Sequence, residues 1–92
     1  MKVLHVEAGM HLYGGALQVV FLLRGLKAQG VHCVLACPTG SAIAQEAAPH
    51  AEVRPMPMKG DADVGLTGRL RALIREVKPD VVHLHSRRGS DI

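Results

Sequence analysis

The residues best equipped for chemistry gather near the two ends of the chain. Close to the C-terminal end, "DVVHLHSRRGSD" carries His83, His85, Ser86, Arg87 and Arg88. Close to the start, "KVLHVEAG" supplies His5 and Glu7, and "YGG" supplies Gly14 and Gly15. Histidine titrates near neutral pH and serves as proton carrier or metal ligand. Arginine matches the oxygens of phosphate and carboxylate. A glycine pair opening a helix lets backbone amides approach an anion, which the helix N-terminus favours. The combination fits a phosphate or diphosphate, with Glu7 accepting a hydrogen bond from a ligand hydroxyl. A bland account stands beside each residue: a plain strand-to-helix turn for the glycines, solvated loop positions for Arg87, Arg88 and Glu7, and core packing for His5 and His83.

These residues matter together only if the fold brings them together. "KVLHVE" (2–7) is a short apolar run before a loop, as expected of a buried strand. Residues 15–29 are apolar on nearly all sides and long enough for a helix, with Gly30 as its stop. Residues 31–37, "VHCVLAC", form a second strand halted by Pro38. A short helix over 41–48 takes Ser41 as N-cap, and Pro49 ends it. Residues 51–58 are extended, and their prolines suit a sheet edge. Leu66, Leu70, Leu73, Ile74 and Val77 then mark one face of a third helix, with Arg69, Arg71, Arg75 and Glu76 off it. Residues 80–85 complete the pattern as a fourth strand.

The order βαβαβαβ predicts a parallel, Rossmann-like sheet in the order 3-2-1-4 with helices on both faces. In such sheets ligands bind at the carboxyl ends of the strands, where strand order reverses. That point lies between strands 1 and 4, and both chemistry-bearing segments converge on it. Strand 4 is left as an apolar, unpaired edge, open to a partner or a second copy.

Several ligand classes are excluded. The G-x-G-x-x-G fingerprint is missing, strand 2 ends in Ala36-Cys37-Pro38 rather than an acidic residue, and no Walker motif occurs. His5, His83 and His85 would meet if strands 1 and 4 pair, but parallel-sheet interiors rarely leave an open coordination position, so no metal and no cofactor is expected. Cys33 and Cys37 share a face of strand 2 and read as buried free thiols. Met56 and Met58 read as core filling. With 92 residues at 48% hydrophobic, the chain makes one small core. A net charge of +3, spread out and without aromatics for stacking, argues against nucleic acid. Neither a signal peptide nor a membrane-spanning run is present, so the expected location is the cytoplasm. No basic amphipathic helix is clear enough to assign peripheral membrane contact.

The stretches "KVLHVEAG", "YGGALQVVFLLRGLKAQGVHCVLACP" and "LRALIREVKPDVVHLHSRRGSD" resemble the N-terminal domain of GT-B glycosyltransferases of family 4, the group typical of bacterial polysaccharide and lipopolysaccharide synthesis. The resemblance covers residues 1–92. It implies the acceptor-side, partial N-terminal domain of an enzyme that moves a sugar from a nucleotide-diphosphate donor, with retention, to a cell-envelope glycan or glycolipid, generally without a tightly held catalytic metal. It further implies that Gly14 and Gly15 meet the donor phosphates or acceptor. His85, the catalytic candidate, contacts the donor sugar, and Ser86, Arg87 and Arg88 line the acceptor side. Many members have Gly-Gly-Ala-Glu where this chain has Gly14-Gly15-Ala16-Leu17. The family's nucleotide-sugar domain, with its paired glutamates, has no counterpart in these residues, so the 92 residues alone are expected to be inactive. Two other readings remain: a stand-alone phosphate- or nucleotide-binding module, and an interaction domain that pairs, even with itself, through strand 4.

Overall fold

The computed structural model describes residues 1–8, 14–58 and 64–85. Its elements run β1 (Lys2–Glu7), α1 (Gly14–Ala28), β2 (His32–Pro38), α2 (Ala42–Ala47), β3 (Glu52–Met56), α3 (Val64–Val77) and β4 (Val81–His85). The four strands form one all-parallel sheet in the order β3-β2-β1-β4. This is the α/β Rossmann-like arrangement that the sequence pattern predicts, with boundaries moved by a residue or two. The short edge strand β3 carries Pro55, where a missing N–H is tolerated.

Side chains alternate across the sheet, so its inner strand β2 feeds two cores. On one face, Cys33, Leu35 and Cys37 pack with Ala16, Val19, Val20 and Leu23 of α1 and with Ile43 and Ala47 of α2. Both thiols are buried and free, and burial pushes their ionisation up; a hydrogen bond from the Ser41 side pulls Cys37 partly back. On the other face, Leu4, Val34 and Ala36 pack with Leu73 and Val77 of α3. Met56 and Met58 fill in around that second cluster, as expected. Ile74 departs from expectation. It lies on the apolar stripe but stays exposed, because Leu73 and Val77 occupy the contact line with the sheet.

The helix ends explain the turns. After α1, Val31 N–H donates to Leu26 O and Gly30 N–H to Lys27 O, each at 3.0 Å, which is a Schellman closure. Gly30 supports it at φ 83°. Lys78 closes α3 in the left-handed region at φ 53°, its N–H donating to Ile74 O at 2.8 Å. Ser41 occupies the N-cap of α2 in extended backbone but makes no side-chain cap bond, contrary to the sequence expectation. Asp80 locks β4 to the start of β1: its carboxylate accepts from Lys2 N–H and its own N–H donates to Lys2 O, both at 2.8 Å.

Candidate functional site

The strand order places the topological switch between β1 and β4, and residue parity decides what faces it. In the parallel register His5 stands opposite His83, and Glu7 opposite His85. These odd-numbered residues share the sheet face that carries α1 and α2. Those helices cover β1 and β2 but leave β4 open, so the same face grades from buried to exposed across one strand spacing. His5 and Glu7 are buried, His85 is half-buried and His83 is exposed.

The histidines form one cluster. His5 Nδ1 lies 3.0 Å from His85 Nε2, so in the neutral pair one nitrogen donates and the other accepts. The His83 and His85 rings stack with centroids 3.9 Å apart, and His5 lies 5.2 Å from His85 and 5.6 Å from His83. Burial, then the neighbouring rings His85 and His83, pull the His5 pKa down to about 4. Burial, then His83, does the same to His85, also to about 4. Both rings are therefore neutral at pH 7. His85 is held by His5, positioned at the carboxyl end of β4, and open on one side: a neutral imidazole that can donate or accept one hydrogen bond.

A sequence model of Glycosyltransferase Family 4 matches residues 13–90. The chain belongs to that family. Among the curated proteins and among the solved structures, nothing matches.

Among the described residues, the site candidates expected of a family 4 chain take the following positions. Gly14 and Gly15 open α1, the element that follows β1. The first amides of a helix have no intrahelical acceptor, so this is where backbone donors for an anion would come from. His85 ends β4. Ser86, Arg87 and Arg88 lie outside the described residues. Two expectations are corrected. Glu7 is not a solvated tip residue: it is 2% exposed, enclosed at the last position of β1. His83 is not a core residue: it is exposed, because no described helix covers β4 on that face. The sequence reading favoured packing for His5 and set aside the cluster it would form with His83 and His85. Its contact with His85 crosses diagonally between strands, and only the register reveals it. A surface depression of about 190 Å³, lined by Lys27, His32, His50 and Glu52 among others, sits near the amino ends of β2 and β3, at the opposite end of the sheet.

Proposed function

We propose that this family 4 chain forms the acceptor-side part of a retaining glycosyltransferase of the GT-B type, which moves a sugar from a nucleotide-diphosphate donor to a cell-envelope glycan or glycolipid. The supporting observation is the β1/β4 switch point, where a glycine-opened helix and a held, neutral His85 flank the same strand ends. In this reading the amides of Gly14 and Gly15 and the guanidinium groups of Arg87 and Arg88 stabilise charge on the departing diphosphate. His85 takes a hydroxyl of the transferred sugar, Glu7 supports a hydroxyl from beneath, and Ser86 faces the acceptor. His5 is a positioning residue that fixes the His85 ring. The donor-holding lobe lies outside these residues, so the 92 residues alone do not turn over.

The test is sugar transfer by the native gene product carrying His85→Ala, with a fall of about 10²-fold or more expected in kcat. Unchanged transfer by that variant, or turnover by the purified 92 residues, would overturn the assignment. A second reading has one observation in its favour. Val81, Val82 and Leu84 of β4 are exposed at the sheet edge, which suits pairing with a partner strand or a second copy of the chain.

A further inference from the structure

The histidine cluster brings together three imidazoles, of which the His5–His85 hydrogen bond accounts for two. One nitrogen from each of His5, His83 and His85 lies within 4.8 Å of the other two. The tightest pair, His5 Nδ1 and His85 Nε2, is 3.0 Å apart. Two imidazoles bound to one tetrahedral zinc, at metal–nitrogen distances of about 2.0–2.1 Å, stand roughly 3.3 Å apart, so this pair is already near the bite of a metal. The third donor, His83, stacks on His85 and is exposed, so its ring would have to turn out of that stack to close the set. The graded burial also suits a metal: His5 is fixed in the core, His85 sits at the rim, and His83 reaches solvent. A fourth position would then face water rather than protein. Among the described residues no helix covers β4 on the α1 side, which leaves room for an open coordination position.

The geometry points to a zinc-class site made by His5, His83 and His85 at the β1/β4 switch point. An all-imidazole set selects zinc and its borderline neighbours cobalt, nickel and copper over magnesium and calcium, which take oxygen ligands. On binding, His5 and His85 would each carry their single ring proton on the nitrogen turned away from the metal, so the proton now shared between Nδ1 and Nε2 would shift to the far nitrogen of its own ring and neither neutral ring would lose one. The site stands apart from the transfer reading in its evidence, yet it shares His85. A bound metal would take the His85 nitrogen that a sugar hydroxyl otherwise meets.

Co²⁺ added to the 92-residue chain tests this directly, because tetrahedral cobalt shows visible d–d bands. The expected result is a set of such bands at one equivalent, removed by Zn²⁺ and unaffected by Mg²⁺. His83→Ala should weaken binding by about tenfold or more, whereas His32→Ala, which alters an exposed histidine beside Glu52, should not. Removing the exposed His83 spares the core; should that variant nevertheless unfold, His85→Asn carries the same expectation. An absence of bands, equal affinity in wild type and His83→Ala, or an equal loss in His32→Ala would overturn the site. Sugar transfer plays no part in this readout, so failure of the transfer reading leaves it distinguishable.

Discussion

Burial moves His5 and His85 out of the ordinary imidazole range, and two predictions belong to them. Their pKa values lie near 4 in the folded chain against 6.5 when exposed. Between those values the unfolded chain binds protons that the folded chain refuses, so stability falls as pH drops from about 6.5 towards 4 and levels off below. Urea unfolding at pH 7, 5.5 and 4.5 in metal-free buffer should show a falling midpoint with an unchanged slope; a flat midpoint would contradict the burial of these rings. After burial, the neighbouring His83 ring is the second cause that lowers the His85 pKa. His83→Gln should therefore raise the His85 pKa, read from its imidazole NMR shifts, without altering the His5–His85 contact. Part of this site was legible in the sequence, because His85 and the glycine pair could be assigned to strand and helix ends. That the three histidines would meet was also legible, but which pair bonds was not, because the diagonal His5–His85 contact exists only once the register is fixed.

At the scale of elements, the sequence pattern was sufficient for β1, α1, β2 and β4, whose apolar runs and stops are unambiguous. It was less sufficient where tertiary contacts choose among equivalents. The stripe on α3 offered both Leu73 and Ile74 to the sheet, and packing took Leu73 while Ile74 stayed exposed. Leu73→Ala should accordingly cost about 2–4 kcal/mol in denaturant unfolding, and Ile74→Ala much less. An equal cost at both positions would contradict the assigned face. Gly30 carries the Schellman closure of α1 with φ 83° and open space around its α-carbon. Gly30→Ala should then lose about 1 kcal/mol from backbone strain alone, with no steric clash to add to it. Ser41 shows the reverse lesson: the right residue type stands at an N-cap, but its side chain is turned from the backbone amides it was expected to meet.

For the molecule as a whole, function follows from topology more than from any single motif. The order 3-2-1-4 puts β1 and β4 side by side, and that one adjacency assembles the histidines and brings the glycine-opened helix to the same end of the sheet. The same topology exposes Val81, Val82 and Leu84 on an uncovered strand. None of the described helices is long and apolar enough to cross a membrane. The central proposal is that the β1/β4 switch point contacts the diphosphate of a donor held mainly by the other lobe, and amide NMR of the labelled chain during titration with uridine diphosphate tests it most directly. The account predicts saturable shifts at Gly14, Gly15 and His85, with His32 and Glu52 at the opposite end of the sheet unmoved. Shifts confined to that opposite end, or none at all up to millimolar ligand, would contradict it.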